Sequence, residues 1–155
     1  MSNALSLVPL MFRSVRPSRL TDMPAVSNTF WLRQGYEALT FFGNIVTATK
    51  QEADALNNHY DTLKNHEMIH LRQAQATHDS WICFYLYYFY FWLRALPWCL
   101  RHLGLAYYSI PFEMEAYEHM NDLHYLDDKR AGTTGWRTYA RMKTRHRIKI
   151  ISNDR

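Results

Sequence analysis

Cysteine is scarce in this chain of 155 residues, which contains only Cys83 and Cys99. The two residues do not form a C-x-x-C pattern, and both lie in an aromatic stretch. A disulfide framework or a paired-thiol redox motif needs a different number or spacing of cysteines. We therefore expect two reduced thiols in a cytoplasmic protein.

Long apolar runs are also missing from the sequence. A helix that crosses a bilayer needs about twenty apolar residues. The uncharged stretch 81–93 has thirteen, and Arg94, Pro97 and Arg101 interrupt any extension. Near the N-terminus only short apolar runs precede Arg13, so no secretory signal is recognisable. These observations argue against a membrane-spanning helix and favour a cytoplasmic location.

Charges of the two signs are unevenly distributed, although the formal net charge is only +4. Residues 1–33 carry four basic and one acidic side chain, residues 129–155 carry nine and one, and residues 34–128 carry five and twelve. The acidic centre favours a cation site. The basic C-terminal segment could contact phosphates, lipid head groups or only water. It contains no motif that predicts a specific nucleic-acid partner.

The length and the 48% hydrophobic content fit one domain with a substantial core. Three prolines among basic and small residues predict an irregular basic arm over residues 1–29. We assign a single domain to residues 30–150 and a tail to residues 151–155.

Local patterns predict an α+β fold that is mainly helical, with a small N-terminal β-hairpin or sheet. β-Forming residues on both sides of Gly43-Asn44 indicate the hairpin. Residues 50–60 are polar and predict a short helix or a loop. Breaks are expected at Pro97 and Gly104, and a short extended tail is expected at the C-terminus. The other predicted helices span residues 61–77, 81–93, 110–127 and 136–149.

The stretch Asn65–His70 carries the pattern H-E-x-x-H within the predicted helix 61–77, which contains no Gly or Pro. Residues four apart lie on one face of a helix, so His66 and His70 can offer two imidazole nitrogens to a single Zn²⁺. Glu67 stands beside them as a candidate general base that activates water. The alternative interpretation is two satisfied histidines on a polar helix face.

A zinc site with two histidines from one helix needs a further protein ligand, and a carboxylate from a later helix is a common solution. The predicted helix 110–127 carries five candidates: Glu113, Glu115, Glu118, His119 and Asp122. A plain solvated face is the alternative interpretation of this charge density. A ferritin-like di-metal centre would need a second E-x-x-H motif, and the chain has none.

Seven of the thirteen side chains in the uncharged segment 81–93 are Phe or Tyr. A helix that is apolar on all sides must be buried against something. We predict that this helix forms a wall of the core and is mostly covered by protein. Because Tyr and Trp also prefer membrane interfaces, peripheral membrane contact is one alternative. A wall of a substrate groove is another.

Two patterns together resemble the gluzincin metallopeptidases. They are N-H-E-x-I-H-x-x-Q at residues 65–73 and, after an aromatic helix, F-E-x-E-A-Y at residues 112–117. The likeness covers roughly residues 35–130 and is strongest to small bacterial proteins with both patterns. This resemblance implies a minimal zincin-like domain in which a small sheet rests on the motif helix and later helices complete the site.

In gluzincins with a P-x-E-x-E-A-D pattern the first glutamate binds zinc, so the resemblance implies Glu113 as the third ligand. Glu115 points to the other side of the helix and is then expected at the surface or in support of the ligands. Tyr117 replaces the aspartate of that pattern, which often orients a ligand histidine. Its phenol could instead stabilise an oxyanion, or its ring could simply pack against a neighbouring helix.

The resemblance thus implies a zinc metallopeptidase that hydrolyses bonds in a peptide or protein substrate. The expected zinc ligands are His66, His70 and Glu113. The expected catalytic residues are Glu67 and Tyr117. The alternative function is a non-catalytic zinc-binding structural protein or a membrane-associated interaction protein. A chain of this size leaves little material for a substrate cleft, which favours the alternative.

Overall fold

A computed structural model describes residues 15–28, 38–100 and 102–153. Within these ranges the chain forms seven α-helices and one three-stranded sheet. The predicted mainly helical α+β class with a small sheet is confirmed. Part of the predicted arm, residues 1–14, and the start of the predicted domain, residues 30–37, lie outside the described residues.

The elements are named here in chain order. The strands are β1 (Ala25–Ser27), β2 (Ala38–Phe41) and β3 (Asn44–Thr47). The helices are α1 (Lys50–Asn58), α2 (Thr62–Ala76), α3 (Trp81–Cys99), α4 (Leu103–Tyr108), α5 (Pro111–His119), α6 (Trp136–Arg141) and α7 (Thr144–Asn153). Short 3-10 helices lie at Pro17–Arg19 and Tyr125–Asp127.

The predicted hairpin is present, with β2 antiparallel to β3. Phe41 pairs with Asn44, so the two turn residues are Phe42 and Gly43, one position earlier than Gly43-Asn44. Both have positive φ, 46° and 86°, which is the geometry of turns that match the twist of a hairpin. Glycine is favoured at the second position because it adopts this φ without strain.

Strand β1 lies within the segment that was predicted to be irregular, and this part of the prediction is wrong. It pairs in parallel with β3, which places β3 in the centre of the sheet. Asn57 of α1 both donates to Ala25 O at 2.9 Å and accepts from Ala25 N at 2.8 Å. The side chain of a later helix therefore fixes the strand, and a three-residue strand carries too little pattern to predict this.

Helix α3 continues past Pro97 to Cys99, and Gly104 lies inside α4, so the predicted break is displaced. A proline inside a helix removes the hydrogen bond to the carbonyl one turn earlier, here that of Leu93. Pro97 and Leu93 are both exposed, so this loss occurs on the side of the helix that faces solvent. Leu100 is the C-cap residue of α3 and His102 is the N-cap residue of α4, and His102 N donates to Cys99 O at 2.8 Å.

Helix α5 ends at His119, whereas the prediction extended it to residue 127. Asn65 of α2 explains the early end, because its Nδ2 donates to Met120 O at 3.0 Å and to Asp122 O at 2.9 Å. Carbonyls that would otherwise continue the helix are thereby satisfied by a distant side chain. Tyr60 OH donates to Asn65 Oδ1 at 2.9 Å and holds the amide in this orientation.

The basic C-terminal segment forms two helices, α6 and α7, where one helix with an extended tail was predicted. Arg147 of α7 is buried, and its Nη1 donates to Tyr139 O at 3.3 Å and Met142 O at 2.8 Å. Its Nε donates to Ser109 O at 2.9 Å. This one arginine satisfies the carbonyl end of α6 and ties α7 to the end of α4.

The main core lies between α2, α3, α5 and the sheet. Its largest buried apolar side chains are Met23, Ile45, Leu56, Leu71, Trp81, Phe84, Phe91, Ile110, Phe112 and Trp136. The prediction that segment 81–93 is helical is confirmed, but the prediction that it is mostly covered is wrong, because one side of α3 is exposed. None of the described helices is long and apolar enough to cross a membrane.

Candidate metal centre

Helix α2 presents the two motif histidines on one side. The helix begins at the N-cap residue Asp61, whose Oδ1 accepts a hydrogen bond from Lys64 N at 2.8 Å. His66 and His70 lie one turn apart, and their rings meet edge to face with centroids separated by 4.8 Å. Both side chains are buried, and their Nε2 atoms are 3.1 Å apart. Two nitrogen donors therefore converge inside the protein.

Glu113 reaches the same point from α5, which packs against α2. Pro111 fixes the first turn of α5, where its missing N–H has no helical partner. Glu113 Oε1 lies 3.2 Å from His70 Nε2, and Oε2 lies 3.5 Å from His66 Nε2. Ligand atoms from the three buried residues all lie within 4.8 Å of one another, so the group could hold a metal ion.

The spacing of the two imidazole nitrogens is close to that around a tetrahedral ion. Bonds of about 2.0–2.1 Å at tetrahedral angles hold ligand atoms about 3.3–3.4 Å apart. The two Nε2 atoms are 3.1 Å apart, and each has a different oxygen of Glu113 beside it, at 3.2 Å from His70 and 3.5 Å from His66. Among the described residues, Glu113 Oε2 is also buried without a hydrogen-bond partner. A buried carboxylate oxygen without a donor is costly, so the donor set and the spacing both favour a bound divalent cation.

Without a metal the group carries charges of both signs. Burial alone would lower the pKa of His70, but the carboxylate of Glu113 beside it raises that pKa to about 9. Burial alone would raise the pKa of Glu113, but the adjacent His70 and His66 hold it well below its usual range. A metal ion that binds here must therefore displace a proton from His70.

Gln73 supports His70 from the far side of the imidazole ring. Its Oε1 lies 2.8 Å from His70 Nδ1, an arrangement in which Nδ1–H donates and Nε2 remains available to a cation. Gln73 Nε2 donates to Phe112 O at 3.0 Å and to Glu115 Oε2 at 2.7 Å. The amide is therefore held in one orientation by two groups of α5.

Glu115 is fully buried. Of the two expected positions, at the surface or in support of the ligands, it therefore occupies the second. Besides Gln73, two neutral donors reach Oε1: Tyr125 OH at 2.8 Å and Gly132 N at 2.9 Å. Gly135 leaves the space for this carboxylate, because a Cβ at that position would overlap Oε1. The loop after Tyr125 therefore closes over Glu115 and completes its hydrogen bonds.

Glu67 lies beside the three clustered residues without belonging to them. Its Oε2 accepts a hydrogen bond from the hydroxyl of Thr40 in β2. Tyr85 of α3 fixes this strand, since its OH donates to Thr40 O at 3.1 Å and accepts from Phe42 N at 3.1 Å. The carboxylate is thus oriented by the edge of the sheet, and the sheet is fixed by α3.

A cavity of about 250 Å³ opens onto this group. It is lined by Ala38, Leu39, Thr40, Glu67, His70, Phe84, Tyr85, Tyr88, Tyr107 and Glu113. A ligand in it would contact residues of β2 and α3 as well as Glu67, His70 and Glu113. A larger cavity of about 350 Å³ lies near Pro17 and Trp81, but none of the three clustered residues lines it.

The inner side of α3 supplies a hydroxyl to the site. Tyr88 OH donates to Glu113 Oε1 at 2.8 Å. Burial, together with the negative charge of Glu113, raises the pKa of Tyr88 well above its usual value, so the phenol stays protonated and remains a donor. This side of α3 therefore lines the cavity beside the clustered residues.

Tyr117 lies one turn after Glu113 on α5. Its ring packs edge to face on His66, with centroids 4.5 Å apart, and also contacts the ring of Tyr108 at 5.3 Å. The side chain is 38% exposed and does not line the cavity. The contact with His66 is a packing interaction, and it brings the ring beside one of the three clustered residues.

Comparisons with protein-family models, with curated proteins and with solved structures gave no match to this chain. The resemblance to gluzincins therefore depends on the two sequence patterns alone.

Sequence reasoning identified the clustered residues but missed several that position them. Thr40, Tyr85 and Tyr88 were missed, whereas Asn65 and Gln73 were quoted as letters of the first pattern without a role. The role of Gln73 could have been found, because it lies three residues after His70 on the same helix face. The other contacts join elements that are distant in sequence, so no local pattern indicates them.

Proposed function

We propose that the protein is a zinc-dependent metallopeptidase in which His66, His70 and Glu113 bind the metal. The observation that carries this proposal is the buried triad, whose ligand atoms lie within 4.8 Å of one another and adjoin a cavity that Glu67 also lines. Two imidazoles and one carboxylate, with a further position left for water, are a common arrangement in catalytic zinc sites. A peptide or protein is the proposed substrate.

Each residue has a defined task in this proposal. A bound zinc ion supplies Lewis acidity that acidifies water and polarises a carbonyl group. Glu67 accepts the proton of the attacking water and later delivers it to the leaving amine. Thr40 donates to one oxygen of Glu67 and so orients the carboxylate. Tyr88 donates to Glu113 and keeps that carboxylate directed at the histidines.

Tyr117 is proposed as a secondary catalytic candidate that could donate a hydrogen bond to an oxyanion. Its ring packs edge to face on His66, so a conservative test is Tyr117→Phe, which keeps the ring and removes the hydroxyl. A loss of turnover with unchanged zinc content supports the catalytic task. Unchanged turnover assigns Tyr117 to packing against His66 only.

A non-catalytic metal-binding protein is the alternative function. The cavity of about 250 Å³ is smaller than the roughly 300–1,000 Å³ of most ligand pockets, and most of its lining is apolar or aromatic. A metal in such a site would mainly stabilise the fold by holding α2 and α5 together.

The substitution Glu67→Gln separates these two functions, because glutamine keeps the size of the side chain and cannot accept the proton. We expect one zinc ion per chain in both wild type and variant, measured by elemental analysis. In the variant, hydrolysis of a broad peptide library should fall by about a hundredfold or more.

Glu52→Gln is the matched control, because Glu52 lies at the exposed start of α1, away from the cavity. Activity retained by Glu67→Gln would contradict the mechanism. A wild type that binds zinc, loses thermal stability when the metal is removed and cleaves no peptide would favour the structural alternative.

A further inference from the structure

Helix α3 has a continuous apolar side that no described part of the protein covers. Ile82, Leu86, Phe89, Leu93 and Leu100 are between 45% and 74% exposed, and these five residues are called the outer face here. Their spacings of four, three, four and seven residues place them along one side of the helix. Large contiguous apolar surfaces are uncommon on proteins without a binding partner, so this face is a candidate interaction surface.

Cationic side chains border the outer face. Arg94 donates to Tyr90 OH at 2.8 Å on the same helix. Helix α7 packs beside α3, and its Arg145 lies over the ring of Trp98, with the guanidinium carbon 4.2 Å from the ring centroid. Lys149 lies one turn after Arg145 and is exposed. Arg94, Arg145 and Lys149 are called the cationic rim.

Acidic side chains are absent from these parts of the sequence. None occurs between Asp79 and Glu113, a range that contains α3 and α4 in full. None occurs between Asp128 and Asp154, a range that contains α6 and α7. The elements that carry the outer face and the cationic rim therefore contribute positive charge only, and the complementary partner is an anionic surface with an apolar layer beneath it.

We propose that the outer face docks on a lipid bilayer that contains anionic lipids, with α3 lying in the plane of the interface. The apolar side chains would enter the boundary of the acyl chains, while Arg94, Arg145 and Lys149 meet the lipid phosphates. Tyr90 and Trp98 carry polar ring groups beside these cations, as side chains at a membrane interface do. The nineteen residues of α3 give a contact about 28 Å long.

A second copy of the chain fits this surface less well. Two-fold pairing of the outer faces would bring two sets of cationic side chains together, and neither copy supplies a carboxylate from α3 or α7 to neutralise them. An anionic bilayer removes this repulsion. The positive charge of the cationic rim therefore favours an anionic bilayer over a second copy of the chain.

The docked orientation also concerns the metal centre. The opposite side of α3 carries Tyr88, which donates to Glu113. One helix diameter, about 10 Å, then separates the lipid surface from the metal group. This inference does not depend on the proposed peptidase activity, because the outer face contains none of the candidate metal ligands or catalytic residues.

Co-sedimentation of the full chain with vesicles tests the proposal. Vesicles of phosphatidylcholine alone are compared with vesicles of phosphatidylcholine and phosphatidylserine. We expect binding to the anionic vesicles, and weaker binding at higher salt because the rim charges are screened. The triple variant Leu86→Ser, Phe89→Ser and Leu93→Ser should reduce binding to the background level.

Charge variants measure the contribution of the rim. Removing Arg94, Arg145 and Lys149 by glutamine substitution should weaken binding to anionic vesicles by about fivefold per charge. The matched controls are Leu123→Ser, an exposed leucine, and Arg130→Gln, an exposed arginine, neither of which lies on α3 or α7. Both controls should bind as the wild type does, and circular dichroism should be the same for every variant.

Two results would overturn the proposal. The first is an absence of binding to anionic vesicles by the folded wild type. The second is a dimer in light scattering that the triple serine variant converts to a monomer, which would identify the outer face as a contact between copies of the chain.

Discussion

Helix α5 buries a carboxylate on each of two sides, and the surroundings of the two carboxylates differ. Glu113 faces two imidazoles and one phenol, and its Oε2 has no hydrogen-bond partner among the described residues. Glu115 faces three neutral donors, which are the Gln73 amide, the Tyr125 hydroxyl and the Gly132 backbone N–H. The side of Glu113 is therefore open to a cation, whereas the side of Glu115 is already satisfied.

The difference explains how one short helix serves two purposes. A carboxylate that accepts several good hydrogen bonds is stable while buried without any counterion. Glu115 therefore fixes Gln73, which in turn orients His70. Glu113 has a single neutral donor, Tyr88, and depends on positive charge from the histidines or a metal. The predictions below test this division of tasks.

The largest expected effect is on metal binding by Glu113→Gln. Removing the charge of the only carboxylate in the group should weaken zinc binding by at least about a hundredfold, while the isosteric Glu115→Gln should lose considerably less. Competition with a chelator of known affinity measures both variants. A greater loss in Glu115→Gln would reverse the assignment of the third ligand to Glu113.

A second prediction concerns the packing around Glu115. In Gly135→Ala the new Cβ would overlap Glu115 Oε1 and approach Tyr125 OH at 2.9 Å, so the carboxylate or the loop must move. We expect a loss of about 1–3 kcal/mol in the free energy of unfolding, as for other overpacked sites. Chemical denaturation of the metal-free protein measures it.

Gly104→Ala is the control for this substitution. Gly104 lies in α4, is exposed, and its added Cβ would meet only Tyr108 at 4.0 Å. Alanine there should be neutral or stabilise the protein by up to about 1 kcal/mol, because glycine is a poor helix former. Equal losses in the two variants would contradict the view that Gly135 makes room for Glu115.

A third, smaller effect is expected for Gln73→Ala. The variant keeps all three candidate ligands but removes the amide that orients His70, so zinc affinity should fall about 10- to 100-fold. Gln75→Ala is the control, since Gln75 lies on the same helix and donates to Pro17 O and Leu20 O, away from the candidate ligands. If both variants bind zinc as tightly as the wild type, the hydrogen bonds that link Glu115, Gln73 and His70 have no effect on zinc affinity.

The faces of α3 illustrate where sequence reasoning failed. Its inner and outer sides have the same kinds of residue. Phe84 and Phe91 are buried, for example, whereas Phe89 is more than half exposed. A uniformly apolar helix has no periodicity that reveals its buried side. Only the packing of α3 against its neighbours, α2, α4, α5, α7 and the sheet, decides which side is covered. The prediction of a mostly covered helix was wrong for this reason.

The sequence by itself determined the features that depend on neighbouring residues. The four-residue spacing of His66 and His70 places them on one side of any α-helix, and the β-forming residues around Gly43 specify a hairpin, because both follow from local backbone geometry. Residue spacing left Glu113 and Glu115 as alternatives, and the resemblance favoured Glu113. The tertiary structure places Glu113 beside the histidines, since this depends on the rotation of α5 relative to α2. It also decided the end of α5, where Asn65, distant in sequence, satisfies the carbonyls that the helix leaves free.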